Sequence, residues 1–341
     1  MSGNATHHFT NTAILAVQAI DAPEVVTSAS LDERLTDTYA RVGLRPGMLE
    51  RVVGIRERRW WPEGFSFVEG AVAAGAKAIG ESGVDPARIG LMVNTSVSRL
   101  HLEPSTAVSI HHGLGLPPSC RNFDITNACL GFVNGMELAA LMIDSGAVEY
   151  ALVVDSEDCR SVNESTIARL SDQGSTAEDV MSQFAALTLG SGAVAMLLGR
   201  ADAHPEGHAV IGSVTRASTE HHALCIGSND FMFTDLRGLL DAGLQLSEDL
   251  WKDAAAEFDW AGGMDRYVIH QVSQVHTAAM CERLGVDPQR VPKTFPTRGN
   301  IGPASVPFTL ASVADDLEDG DRVLLMGIGS GLNASILEIR W

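Results

Sequence analysis

The chain of 341 residues is short of positive charge, of aromatics and of cysteine. Its 24 Lys and Arg stand against 43 Asp and Glu, a net charge of −19 at pH 7. Phosphate backbones are held by a basic face, so this balance argues against nucleic acid as a partner. It argues equally against an anionic membrane surface held by charge. The five cysteines (Cys120, Cys129, Cys159, Cys225 and Cys281) are odd in number and scattered, with no zinc-finger spacing. They read as reduced thiols, and with them the expected compartment is cytoplasmic. Residues Met1–Thr12 are polar and lack the basic and apolar regions of a secretory signal. One uncharged stretch, Val180–Gly199, has the length of a membrane span. Gly190-Ser191-Gly192 breaks it, so the expectation is two buried strands with a bend and no integral membrane segment.

Two further classes drop out. Gly327-Ile328-Gly329-Ser330-Gly331 has the look of a dinucleotide loop, but too little chain follows for the rest of a βαβ unit. The histidine doublets His7-His8, His111-His112 and His221-His222 point their side chains apart on any regular element, and no third ligand stands at metal spacing. No metal site is expected.

What is present is an ordinary globular composition, 45% apolar, in which strand-like and helix-like segments alternate as in an α/β fold. Strands are expected at Thr12–Ile20, Ile89–Asn94, Asn122–Thr126 and Tyr150–Asp155, with helices at Ser30–Gly43, Phe67–Ser82, Ser105–Leu114 and Leu130–Ser145. Cys159–Met181 reads as a polar, irregular surface excursion, and Leu187–Leu198 as strand-pair material. In the second half, strands are expected at Ala209–Thr215, Tyr267–Ile269, Val323–Met326 and Ala334–Ile339. Helices are expected at Ser247–Phe258, Gln274–Leu284 and Ser305–Asp316. Gly190-Ser191-Gly192 and Gly329-Ser330-Gly331 each precede an apolar strand, an internal echo that suggests a duplicated α/β unit. The halves are placed at residues 1–203 and 204–341, the first interrupted near 159–181.

The strongest chemical signal is Asp124-Ile125-Thr126-Asn127-Ala128-Cys129-Leu130-Gly131-Phe132. A strand runs into a helix with a cysteine at the junction. Unpaired N–H groups at a helix N-terminus favour a thiolate, so a lowered thiol pKa is expected at Cys129. His270 follows the strand Tyr267-Val268-Ile269, and sites in α/β sheets gather at strand C-terminal ends. Asn300 sits in the turn Arg298-Gly299-Asn300-Ile301-Gly302-Pro303. A Cys/His/Asn set is one solution to acyl transfer. Arg51, Arg56, Arg58 and Arg59 form a basic cluster in an acidic chain, a candidate for phosphate contacts.

These motifs, in this order, resemble the thiolase superfamily, and within it the ketoacyl synthase III-type condensing enzymes. Gly54-Ile55-Arg56-Glu57-Arg58-Arg59 also resembles an early signature of that group. The resemblance implies a five-layered αβαβα fold of two similar halves and a homodimer. It makes Cys129 the acyl-accepting nucleophile, with His270 and Asn300 polarising a thioester carbonyl. The N–H groups of Cys129 and Ser330 become the oxyanion hole. Arg51, Arg56 and Arg58 become candidate contacts for the phosphates of coenzyme A, although Met48 stands where the group has an adenine-stacking tryptophan. In Arg99-Leu100-His101-Leu102-Glu103-Pro104-Ser105, Glu103 replaces an apolar residue that reaches the partner's acyl tunnel. That is similar to OleA-type enzymes, which join two fatty acyl-CoAs head to head without losing CO₂. Such a reaction needs a base for an α-proton, and Glu103 is placed in that role, acting in trans. CoA thioesters are then substrates, and no cofactor is expected. The alternatives are a malonyl-dependent 3-oxoacyl synthase III and a non-catalytic dimer partner.

Overall fold

The computed structural model describes residues 5–255, 257–260 and 263–341. Besides a short strand, Thr6–His8, the first half supplies five strands of the main sheet: β1 (Thr12–Asp21), β2 (Ile89–Asn94), β3 (Arg121–Asp124), β4 (Tyr150–Glu157) and β5 (Gly192–Arg200). The second half supplies β6 (His208–Ala217), β7 (Arg266–Ile269), β8 (Arg322–Gly329) and β9 (Asn333–Arg340). In the first half β1 pairs antiparallel with β5 and β5 with β4, after which β4, β2 and β3 run parallel. In the second half β6 pairs antiparallel with β9, β9 antiparallel with β8, and β8 parallel with β7. Over four strands the two orders match (β1-β5-β4-β2 with β6-β9-β8-β7), β3 having no counterpart, and the two Gly-Ser-Gly bends lead into equivalent strands, β5 and β9.

β1 meets β6 through two residue pairs, Ala13↔Ala209 and Ile14↔His208, beside a register shift in β1 between Ile14 and Ala16, and Thr6–His8 pairs antiparallel with β6 at Gly212–Val214. The two sheet layers implied by the resemblance thus share one seam.

Strands buried on both faces carry apolar residues at every position, and here the alternation sorts them into layers. Val194, Met196 and Leu198 of β5 join Val323, Leu325, Leu337 and Ile339 of the second half in the central cluster. Between the sheets lie α3 (Gly131–Asp144) and α6 (Ser305–Val313), through Phe132, Val133, Met136, Ala139, Ala140 and Ile143, and through Val306, Phe308 and Leu310. The opposite face of β5, with Ala193, Ala195 and Leu197, packs on α1 (Phe67–Ser82) and α2 (Thr106–Leu114). Leu324, Met326 and Ile336 pack outward on α4 (Leu236–Ala254) and α5 (Gln274–Leu284). The result is helix, sheet, helix, sheet, helix. Full burial of each large apolar side chain in these layers is worth about 1.5–3 kcal/mol.

Several expected elements differ in extent. The Ser30–Gly43 helix is two, Ser28–Arg34 and Thr36–Val42, separated at Leu35. The Ser247–Phe258 helix is longer at its start, where Asp235 caps Gly238 N–H, and it ends at Ala254. The polar excursion is not irregular. Arg160–Leu170 and Ala177–Gln183 are helices, the second opened by a Thr176/Asp179 capping box. They bury Val162, Ile167, Leu170 and Val180 against Leu31, Leu35, Tyr39 and Ile55, a core cluster that the low apolar content of the segment conceals. Within Val180–Gly199 only β5 is a strand; residues 184–188 form a 3-10 turn. Among the described residues no helix is long and apolar enough to cross a membrane.

Candidate active site

The Cys129 turn is tight. Leu130 N–H donates to Asn127 O at 3.0 Å and Gly131 N–H to Ala128 O at 3.1 Å. Ala128 takes φ +45°, a left-handed conformation that disfavours a side chain and persists only where neighbours hold it. The holding groups are visible. Asn127 Nδ2 donates to Asn134 Oδ1 at 2.8 Å, and Asn333 Nδ2 donates to Asn127 Oδ1 at 3.2 Å. Gly329 allows the closest approach: a Cβ there would lie 2.6 Å from Asn127 O and 3.1 Å from Leu130 N. The Gly329-Ser330-Gly331 turn therefore rests on the Cys129 turn, across the junction of the two halves. Neither the Cys129 N–H nor the Ser330 N–H donates to another residue among the described ones.

His270 follows β7, its N–H donating to Met326 O at 2.9 Å. It is 3% exposed, and its Nδ1 is buried without a partner. Burial, with a smaller contribution from His276, lowers its pKa to about 3, so the imidazole is neutral. Asn300 is fixed through its backbone to Thr188 and Gly190. Gly302 N–H donates to its Oδ1 at 2.9 Å, which assigns the carbonyl end and leaves Nδ2 as the outward donor.

Two buried acids complete the setting. Asp155 and Glu157 alternate on one face at the C-terminal end of β4. A Cβ on Gly302 would lie 3.5 Å from Glu157 Cγ, which sets Glu157 beside the Asn300 turn. Burial raises the Glu157 carboxyl to about 7, against hydrogen bonds from Ser98 and Val97. Burial and Glu157 together push Asp155 well above the usual carboxylate range. The Cys129 thiol is pushed up first by burial, then by the nearby Cys225, Glu157 and Asp155. The thiolate expected from the helix N-terminus is thus not the resting form: desolvation and adjacent acids outweigh the terminal N–H groups.

Glu103 lies on an exposed segment, Leu100–Pro104, and makes no hydrogen bond or ion pair among the described residues. Among those residues, no three His, Cys, Asp or Glu gather as metal ligands.

Comparison with known proteins follows the same lines. Residues 123–219 match the 3-oxoacyl-(acyl-carrier-protein) synthase III family, and residues 261–341 its C-terminal region. An acyl-CoA:acyl-CoA alkyltransferase of Xanthomonas campestris pv. campestris is 44% identical over 336 residues, 98% of this chain and 99% of that protein. The chain belongs to this condensing-enzyme family. An alkyltransferase of the same name from Shewanella oneidensis is 36% identical, covering 94% of this chain and 96% of that protein. A β-ketoacyl synthase III of Rhodospirillum rubrum is 28% identical over 90% of this chain and 92% of that protein. The crystal structure of Xanthomonas campestris OleA with lauric acid and lauroyl-CoA bound superposes with a TM-score of 0.96. It is 43% identical and covers 98% of this chain and 100% of that one. The thiolase fold of the family is the fold of this chain.

Within that family fold one expected contact is removed. Arg58 is fully buried; its guanidinium donates to Ser28 Oγ at 3.2 Å and to Leu187 O at 2.9 Å. Desolvation lowers its pKa to about 10. It ties the Ser28 segment to the 184–188 turn and is closed to a ligand phosphate. Arg51 and Arg56 are exposed. Sequence reading missed Asp155 and Glu157. The available signal was two acids spaced by two at the end of an otherwise apolar strand.

Proposed function

We propose that this acyltransferase joins two fatty acyl-CoAs without decarboxylation, through an acyl-Cys129 intermediate. The observation that carries the reading is a contrast within one chain. A Cys129 turn docked on the Ser330 turn, with His270 and Asn300 fixed by their own strands and turns, coexists with a carboxylate, Glu103, that is exposed and unpaired.

In the first half-reaction the Cys129 thiol attacks the thioester carbonyl of one acyl-CoA. The neutral imidazole of His270 takes the thiol proton and returns it to the departing CoA sulfur. The Cys129 and Ser330 N–H groups receive the oxygen as charge builds on it. In the second, His270 and Asn300 Nδ2 donate to the carbonyl oxygen of a second acyl-CoA. Glu103 of the partner subunit then removes its α-proton. The carbanion attacks the acyl-Cys129 carbonyl, the carbon–sulfur bond breaks, and Cys129 is released. Hydrolysis of the remaining thioester gives a 2-alkyl-3-oxoacid, of the class that precedes olefins or β-lactones. The homodimer is required because the base comes from the other chain. Arg51 and Arg56 are the remaining candidates for CoA phosphates, and the chemistry calls on no resident cofactor.

A malonyl-dependent synthase generates its carbanion by expelling CO₂ and has no task for Glu103. A non-catalytic partner has no task for Cys129. Glu103→Ala should therefore still load an acyl group on Cys129, seen by intact-protein mass spectrometry, and release no condensed product. Product release at the native rate would overturn the reading.

A further inference from the structure

Two carboxylates stake the segment that carries Glu103. At its start, Glu157 Oε1 accepts the Val97 N–H at 2.6 Å, and Oε2 accepts the Ser98 N–H at 3.1 Å and the Ser98 hydroxyl at 2.5 Å. Next, Arg99 reaches back to β3 and beyond. Its Nε lies 3.6 Å from Asp124 Oδ2, and Nη2 donates to Thr126 Oγ1 at 2.6 Å. At the far end the same Asp124 accepts the Thr106 N–H at 3.0 Å and the Ala107 N–H at 2.8 Å. These are the first donors of α2, so a residue from another strand supplies the cap. Asp124 also accepts from Asn94 Nδ2 at 3.0 Å. The Arg99 and Asp124 side chains are 19% and 13% exposed. Between the stakes, Leu100–Pro104 stands in solvent, and Leu102 is 97% exposed. A segment with ordered, buried anchors and an unbonded tip has the form of a rigid arm.

We infer that Asp124 and Arg99 are positioning residues for the second half-reaction: one carboxylate clasps both ends of the arm and so sets where Glu103 projects. The inference rests on the in-trans role of Glu103 proposed above. Asp124 also opens the segment that runs on to Cys129, so it has two routes of influence. One is its own chain's nucleophile; the other is the arm that serves the partner's Cys129. The assembly separates these routes, because a two-fold dimer divides each site between chains.

Asp124→Asn should load Cys129 within about twofold of the native rate, because that step does not use the arm. Condensation should fall roughly 10–100-fold, the scale of a misplacement near 1 Å. The deciding experiment mixes Asp124→Asn chains with Cys129→Ala chains, with subunit exchange verified by mass. In the heterodimer, the native Cys129 faces a native arm, so condensation should return to about a quarter of native for full exchange. Glu103→Ala mixed with Cys129→Ala is the control. Recovery in the control without recovery for Asp124→Asn overturns the inference alone, as does parallel loss of loading and condensation in Asp124→Asn. No recovery in the control overturns the in-trans reading and the inference with it. If Asp124→Asn does not fold, Arg99→Lys decides by the same two outcomes. It keeps the charge but loses the guanidinium fork that spans Asp124 and Thr126.

Discussion

Cys129 keeps its proton because burial, then Cys225, Glu157 and Asp155, oppose the thiolate. Under the proposed function proton removal then accompanies attack, and His270, whose imidazole burial keeps neutral, is the base proposed for it. The same imidazole and the Nδ2 of Asn300 are donors whose value rises as charge grows on a substrate oxygen. His270→Ala and Asn300→Ala should each slow turnover by about 10²–10³, or roughly 3–4 kcal/mol. Circular dichroism should stay native, and near-native turnover in both variants would make the constellation structural. These candidates were legible in sequence because each stands at a strand end or turn within a recognisable motif. Their protonation states were not. Those depend first on burial, which only the packed fold creates, then on His276 beside His270 and on Cys225, Glu157 and Asp155 beside Cys129.

At the scale of elements, what matters is how closely turns approach. A methyl on Gly329 would stand 2.6 Å from Asn127 O, so Gly329→Ala must part the Ser330 turn from the nucleophile turn. Loading of Cys129 should fall at least tenfold on a folded chain, because both oxyanion donors lose their register; unchanged loading would uncouple the turns from the chemistry. Glu157 allows a test by pH. Burial raises the Glu157 carboxyl to about 7 in the folded chain, from the ordinary 4.5 of an exposed glutamate. Its contribution to stability is therefore full below about 4.5 and lost as pH rises through 7. Glutamine does not ionise, so the Tm difference between Glu157→Gln and the native chain should move in the variant's favour from pH 5 to pH 8. A difference that stays constant with pH would contradict this. Helices such as Phe67–Ser82 and Gln274–Leu284 were legible to the residue because Gly83 and Gly285 end them in left-handed caps. The 160–183 helices were not. Their apolar residues are few, and the partners that cover them come from residues 31–55. Arg58 reads as a candidate phosphate contact in sequence for a similar reason: only the fold reveals that Ser28 and Leu187 accept from its guanidinium.

At the scale of the whole molecule, the duplicated half is what creates the site. The halves share a four-strand order, but only their junction brings the Cys129 turn of one against the Ser330 turn of the other. The Gly-Ser-Gly echo signalled the repeat in sequence; the seam through Ala13 and Ile14 was invisible there, since two residue pairs leave no pattern. In the proposed function the arm bearing Glu103 extends the same logic to a second copy, its tip making no hydrogen bond or ion pair among the described residues. The central claim is that one substrate type serves as both acyl donor and carbanion source. Purified protein given a single saturated acyl-CoA, with no malonyl thioester present, should release free CoA and a carbon–carbon-joined 2-alkyl-3-oxoacid, with no CO₂ formed in the joining step. Loading of Cys129 without any joined product, followed by condensation with CO₂ release once malonyl thioester is added, would contradict it.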